Sequence, residues 1–197
     1  MILNRNDHPA LSTNHHRRSI RLQEYDYSQV GAYFITLCTQ NKACLFGKIA
    51  EGAMHLNRIG LIVAEEWMRC AVIRQEIELD EWVVMPNHIH GIVIINHAMR
   101  ATSRSPLQDA AKPGLVPKSL GSLVGGFKAA TTKRINEIRH TPGIPVWQRN
   151  YYEHVIRNED ELSSICQYIE ENPLKWEMDR ENPEAPISRS KVVSWQV

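Results

Sequence analysis

Two histidines one residue apart interrupt the apolar run VVMPNHIHGIVI, which extends from Val83 to Ile94. Side chains of a β-strand alternate between its two faces, so His88 and His90 would point the same way on a strand. Two imidazoles side by side can chelate one divalent ion. The same pair would also suit two hydrogen-bonded core histidines or a wet strand edge, and the spacing alone leaves these alternatives open.

Two protein ligands are too few for a closed structural zinc site, so a third ligand must come from elsewhere in the chain. The segment SSICQYIEENP offers one, because Tyr168 and Asn172 lie one helical turn apart at the edge of an apolar stripe. An amide oxygen suits Mg²⁺ or Mn²⁺, and Mn²⁺ also accepts imidazole. Tyr168 would then stand beside the ion as a nucleophile. A tyrosine packed at a helix edge and an asparagine that ends a helix before Pro173 would give the same pattern.

Periodicity predicts the strands that position these residues. The stretch GAYFITLCTQ carries apolar groups on both alternating faces, which indicates a central strand. Leu79–Met85 and His88–Ile95 are predicted to form an antiparallel hairpin around the turn-forming pair Pro86-Asn87. On the second strand, Gly91 would either let a substrate or a metal approach closely or relieve packing beneath a helix.

Three helices are predicted from apolar residues at helical spacing. The first lies between Leu56 and Arg74, and the second begins at Ser119 or Ser122 as its N-cap. The third begins after Asn158, which precedes three acidic residues, and ends at about residue 172. The order of elements indicates an α+β fold: a ferredoxin-like βαββαβ antiparallel sheet with helices on one face, plus an added C-terminal helix that carries the tyrosine.

Composition favours one folded domain with tails. The 197 residues contain 43% hydrophobic residues, enough for a full core. We assign 1–24 to a basic arm, 25–176 to the domain with a connection at 97–118, and 177–197 to a tail. No apolar run approaches the roughly 20 residues of a membrane span. The polar N-terminus and the four cysteines without a C-x-x-C pair favour a reducing, cytoplasmic location.

The net charge of +1 points to no particular partner, but positive charge is clustered locally. Lysines and arginines occur in the N-terminal arm and along the second helix, mostly outside its apolar stripe. This pattern permits a polyanion-binding face, although a solvated helix looks similar. The candidate phosphate contacts are Arg17, Arg18, Arg21, Lys118, Lys128, Lys133, Arg134 and Arg139.

Three stretches of the chain together resemble the HUH single-strand transposases, and most of all their REP-associated tyrosine transposase branch. These are RRSIRLQEYDYSQVGAYFITLCTQNKACLFG, DEWVVMPNHIHGIVI and WQRNYYEHVIRNEDELSSICQYIEENPLKW, within residues 17–176. The resemblance implies that His88 and His90 are the metal-binding pair, that Asn172 is the third ligand and that Tyr168 is the nucleophile. It also implies Mg²⁺ or Mn²⁺ as cofactor and a 5′-phosphotyrosine intermediate with a free 3′-OH.

The substrate implied by the resemblance is single-stranded DNA folded into a REP-type palindromic hairpin, with a short guide sequence beside it. The basic residues become candidate DNA contacts in this reading, and both a monomer and a homodimer stay open. Tyr151 and Tyr152 are rival nucleophiles, although they lack an amide one turn later on a helix. The alternative function is a non-catalytic hairpin-binding protein or repressor built on the same fold.

Overall fold

The structure, a computed structural model, describes residues 25–96 and 118–186. The basic arm at 1–24, with Arg17, Arg18 and Arg21, lies outside these residues, as do 97–117 of the connection and 187–197 of the tail. The strands are β1 (Gly31–Cys38), β2 (Gly47–Ala50), β3 (Ala53–Leu56), β4 (Ile77–Val84), β5 (His88–Ile95) and β6 (Tyr152–Ile156). The helices are α1 (Arg58–Ile73), α2 (Leu120–Arg139) and α3 (Glu159–Glu171), with 3₁₀ helices at Gln40–Lys42 and Pro173–Met178.

Four strands form one antiparallel sheet in the order β4-β5-β1-β6. β1 pairs with β5 on one side and with β6 on the other, so it is central, as its two apolar faces predict. With α1 before β4 and α2 before β6, the connections are those of the ferredoxin-like βαββαβ arrangement. The predicted fold class is confirmed.

Helices cover both faces of this sheet. α1 and α2 pack on one face over a core that includes Tyr33, Trp67 and Phe127. α3, the added helix, covers the opposite face and buries Ile165 and Ile169 there. β5 therefore lies between two layers, and every residue of the strand except the partly buried Ile94 is buried.

Side-chain caps fix where the helices begin. The Ser119 hydroxyl accepts a hydrogen bond from the Ser122 amide, so the first of the two predicted caps of α2 is the one used. Asn158 caps α3 by accepting from the Glu161 amide, as predicted, and three acidic residues follow in the first turn. In the part of the chain that the structure describes, no helix combines the length and the apolar character needed to cross a membrane.

The β2–β3 hairpin was absent from the elements predicted by periodicity. Its two-residue turn is Glu51-Gly52, and both residues have positive φ, 52° and 73°. Positive φ at both positions is the geometry of the tight hairpin turn whose twist matches that of the strands. A Cβ at Gly52 would lie 2.6 Å from Leu174 Cδ2, so the hairpin tip touches the 3₁₀ helix that follows α3.

Gly91 faces away from the histidines and lies under a buried tryptophan. A Cβ built on Gly91 would approach Trp67 Cζ2 to 2.6 Å, and Trp67 is fully buried with Phe127 edge-on at 5.4 Å. Of the two predicted roles, the geometry therefore supports relief of packing beneath a helix.

We expect Gly91→Ala to destabilise the protein by about 1–3 kcal/mol, because the added methyl group overpacks the Trp67 side of the sheet. Chemical denaturation gives the free energy of unfolding. Gly126→Ala in α2 is the matched control, because a Cβ there would meet only Arg74 Nη2 at 4.0 Å. The control should gain about 0.5–1 kcal/mol from reduced backbone entropy. Equal effects of the two variants would contradict the packing role.

Candidate metal and nucleophile site

The two histidines of β5 converge on one point. Both lie on the α3 side of the sheet, as strand alternation predicts, and their Nε2 atoms are 3.0 Å apart. Their exposed fractions are 0% for His88 and 2% for His90. The wet-edge alternative is therefore wrong, and the pair is buried between the sheet and the C-terminal elements.

Asn87 sets the protonation of the His88 ring. Its amide nitrogen donates to two backbone carbonyls, Lys42 O at 3.0 Å and Glu181 O at 2.6 Å. Its oxygen must therefore accept, and the His88 Nδ1 atom lies 2.8 Å away. Nδ1 of His88 consequently carries the hydrogen, and Nε2 presents a lone pair to the site.

A hydrogen bond to the central strand also holds the His90 ring in place. Its Nδ1 atom lies 2.8 Å from the Thr36 hydroxyl, directly across the β1–β5 ladder. Burial lowers the pKa of His90 to about 3. The pKa of His88 also lies well below its usual value, mainly because of burial and further because positive charge on His90 or Lys42 would repel a second one. Both rings are therefore neutral at physiological pH, which is the form that binds metal ions.

α3 brings Tyr168 and Asn172 to the histidines. The Tyr168 hydroxyl is 3.4 Å from His90 Nε2, and its ring packs edge-on against Phe34. Burial and the negative charge of Asp179 raise the pKa of Tyr168 above its ordinary value, while a hydrogen bond from Asn172 lowers it. The Asn172 side chain also hydrogen-bonds Asp179. Asn172 thus links the tyrosine to a carboxylate.

Asp179 is a site residue that sequence reasoning missed, because it falls in the segment assigned to the tail. It follows the 3₁₀ helix Pro173–Met178, and its Oδ2 atom is 3.9 Å from His88 Nε2. Burial raises the pKa of this carboxyl, and the Glu181 amide donates to it at 2.6 Å. The position of Asp179 depends on the chain after Pro173, which carries no periodic signal.

The donor set fits a divalent cation. One ligand atom from each of His88, His90 and Asp179 lies within 4.8 Å of the others. Two donors bound about 2.1 Å from one ion at a right angle lie about 3 Å apart, which is the observed separation of the two Nε2 atoms. Asn172 Oδ1 is buried without a hydrogen-bond partner among the described residues, so it too can accept a cation. Two imidazoles with carboxylate and amide oxygens, and no thiolate, are suitable ligands for a divalent cation.

A cavity of about 200 Å³ opens onto Tyr168 and His90. Both rival tyrosines line it, Tyr152 with its ring edge-on to Phe34 and Tyr151 beneath the Lys128 ammonium at 5.5 Å. The other lining residues are Thr36, Cys38, Gln148, Asn150, Arg180 and Glu181.

The predicted phosphate contacts are dispersed by the fold. Arg134 forms ion pairs with Glu65 and Glu66 of α1 at 2.6 and 2.8 Å, so its charge is already compensated. Lys128 reaches the edge of the site cavity, where its ammonium donates to the Gln148 and Asn150 carbonyls. The remaining described candidates, Lys118, Lys133 and Arg139, lie along or beside α2.

Comparison with solved structures finds the same fold. A REP-associated tyrosine transposase bound to a REP hairpin matches with a TM-score of 0.52 and 20% identity, covering 79% of this chain and 73% of that one. A proposed transposase from Deinococcus radiodurans matches with a TM-score of 0.37 and 19% identity, over 76% of this chain and 95% of that one. At such identities the first match shows that the two proteins share a fold. The TM-score of the second match is too low to show a shared fold.

Comparison of sequences gives a nearer relative. The chain matches no protein-family model. An uncharacterized protein of Haemophilus influenzae is 42% identical over 170 residues, which are 84% of this chain and 93% of that protein. The chain therefore belongs to the same family as this Haemophilus influenzae protein.

Proposed function

We propose that the protein is a metal-dependent tyrosine transposase that cleaves and rejoins single-stranded DNA at REP-type hairpins. The observation that carries this proposal is the approach of the Tyr168 hydroxyl to His90 Nε2, 3.4 Å away, beside the group formed by His88, His90 and Asp179. One solved structure with the same fold is a REP-associated tyrosine transposase bound to a REP hairpin, which supports the same substrate class here.

His88, His90, Asp179 and Asn172 would hold Mg²⁺ or Mn²⁺, which when bound acts as a Lewis acid on the scissile phosphate. Asp179 extends the ligand set that the resemblance implies, and it also extends the proposed catalytic unit beyond residue 176. All of these groups come from one chain, so the proposal is compatible with action as a monomer.

Tyr168 supplies the nucleophile in this proposal. Its phenolic oxygen forms a bond to phosphorus, the bond from phosphorus to the 3′ oxygen breaks, and the released 3′ oxygen takes up a proton. Because the new phosphotyrosine keeps the phosphodiester energy, rejoining needs no ATP. The Tyr168 proton must leave first, and burial opposes this by raising the pKa of the phenol. The hydrogen bond from Asn172 favours the phenolate and so acts in the direction of the reaction.

We expect Tyr168→Phe to abolish covalent adduct formation, with a loss of about 10⁴-fold or more because the nucleophilic oxygen is removed. The measurement is a gel assay of protein incubated with REP-type hairpin DNA and Mn²⁺ or Mg²⁺. Tyr152→Phe is the matched control, since Tyr152 lines the same cavity, and it should keep the adduct. An undiminished adduct from Tyr168→Phe would exclude Tyr168 as nucleophile. Tight hairpin binding by the wild type with no adduct in either metal would favour the non-catalytic alternative.

His88→Ala and His90→Ala are each expected to weaken Mn²⁺ binding by more than about 100-fold, because one of few donors is lost. Isothermal titration calorimetry measures the affinity directly. The wild type should also gain about 2.7 kcal/mol of stability at a Mn²⁺ concentration of 100 Kd. His55→Ala on β3, where the side chain is exposed, should leave both readouts unchanged. Unaltered Mn²⁺ affinity in both site variants would refute the metal assignment.

Stability of the metal-free protein should fall in acid. An unfolded histidine has a pKa near 6.5, whereas burial lowers the pKa of both folded rings, so the folded state binds fewer protons below pH 6.5. The free energy of unfolding should therefore drop as pH falls through about 6.5, by about 2 kcal/mol between pH 6.5 and 5.5 for the pair. Urea titrations at each pH test this. The His88→Gln/His90→Gln double variant should show a shallower dependence, and a slope equal to that of the wild type would argue against buried neutral rings.

A further inference from the structure

A groove of about 830 Å³ runs between one face of α2 and the segment 140–149 that follows the helix. We call it the α2 groove. Its helix wall includes Lys128, Thr132, Lys133, Asn136 and Glu137, and its other wall includes Pro142, Ile144, Pro145, Trp147, Gln148 and Arg149. None of the site chemistry described above uses this groove.

Hydrogen bonds hold the two walls of the α2 groove together. Asn136 donates its amide hydrogen to the Ile144 carbonyl at 2.8 Å and accepts from the Thr141 hydroxyl at 3.2 Å. The Trp147 indole donates to the Thr131 hydroxyl at 2.8 Å. The groove is therefore preformed, and a ligand would not have to order the segment before it binds.

The groove combines an apolar wall with positive charge. Ile144 is 48% exposed and stands between two prolines, while Lys133 and Arg149 are exposed at the edges. Lys128 adds a third cation, held by neutral carbonyls. Glu137 is the acidic side chain among the groove residues, so the balance favours an anionic ligand with apolar faces.

The α2 groove and the cavity at Tyr168 adjoin at Gln148. Gln148 lines both, and Asn150, whose carbonyl accepts from Lys128, lines the site cavity. The Gln148 amide donates to the Cys38 carbonyl at 2.9 Å, so this junction is fixed to the end of the central strand. A polymer lying in the groove would therefore pass Gln148, which also lines the cavity of the proposed nucleophile Tyr168.

From the shared residue Gln148 and the positive charge we infer that the α2 groove binds the single-stranded DNA that adjoins the scissile phosphate. This inference rests on the proposed function. Cations along the edge of a groove follow the phosphates of a single strand, and apolar surfaces receive the faces of its bases. Lys133 and Arg149 take the phosphate role, and the Ile144 wall takes the base role. Arg134, compensated by α1, takes no part.

The test compares a blunt REP-type hairpin with the same hairpin carrying a single-stranded extension of about eight nucleotides, placed 5′ in one ligand and 3′ in another. Fluorescence anisotropy in the Tyr168→Phe background measures binding without cleavage. We expect one of the two extensions to strengthen binding. The Lys133→Ala/Arg149→Ala double variant should weaken binding of that extended hairpin by about tenfold. The slope of log affinity against log salt should fall by about 1.4, since each single-strand phosphate contact contributes about 0.7. Binding of the blunt hairpin should not change.

Two further variants separate the groove from general electrostatics. Lys48→Ala removes an exposed cation of β2 that does not line the groove, and it should leave the extension gain intact. Ile144→Asp places a carboxylate on the apolar wall, and it should remove the gain while keeping the Ile144 carbonyl that braces the loop. Equal losses from Lys48→Ala and from the Lys133→Ala/Arg149→Ala double variant, or an extension gain insensitive to all groove variants, would overturn the inference.

The experiments distinguish an error in the assignment of DNA binding to the α2 groove from an error in the proposed function. If Tyr168 forms the adduct and the groove variants bind every DNA ligand with wild-type affinity, DNA binding in the α2 groove is excluded and the proposed function stands. Single-strand binding that depends on the groove, with no adduct in either metal, would overturn the cleavage reaction and leave the groove as a binding site.

Discussion

The register of β5 is the constraint on which the site depends. Its side chains alternate between two buried layers, so a shift of one residue would exchange the histidines with Ile89 and Gly91. The imidazoles would then lie in the apolar core, and larger side chains would meet Trp67, where only a hydrogen fits. The close contact of Gly91 with Trp67 on one face therefore maintains the direction of His88 and His90 on the other.

Electrostatics in the site follow from burial. The histidine rings are neutral, a buried amide oxygen of Asn172 lacks a hydrogen-bond partner among the described residues, and the Asp179 carboxyl has a raised pKa. Each of these groups would gain from a nearby positive charge, because each offers lone pairs or negative charge in a region that water reaches poorly. The same surroundings raise the pKa of Tyr168, the proposed nucleophile, so a nearby positive charge would favour its phenolate.

Local patterns in the sequence predicted the parts of the site that depend on one element. Strand alternation placed the two histidines together, and helical spacing placed Tyr168 beside Asn172. Asn87 was interpreted only as a turn residue, because its side-chain partners, Lys42 and Glu181, are distant in the chain. Asp179, Arg149 and the pairing of Arg134 with α1 depend likewise on tertiary contacts. The β2–β3 hairpin did have a local signal, Glu51-Gly52, which periodicity over so few residues does not reveal.

The hydrogen bond from Asn87 to the Glu181 carbonyl joins residues 94 positions apart, and the β2–β3 hairpin touches Leu174 across a still longer stretch. Contacts between such distant parts of a chain form late, because a long loop must close before they contribute. On the ribosome, His88 and His90 emerge well before Asp179. The sheet can therefore form before all residues of the candidate metal site are present. In a nascent chain the site is complete only after Glu181 has been synthesised.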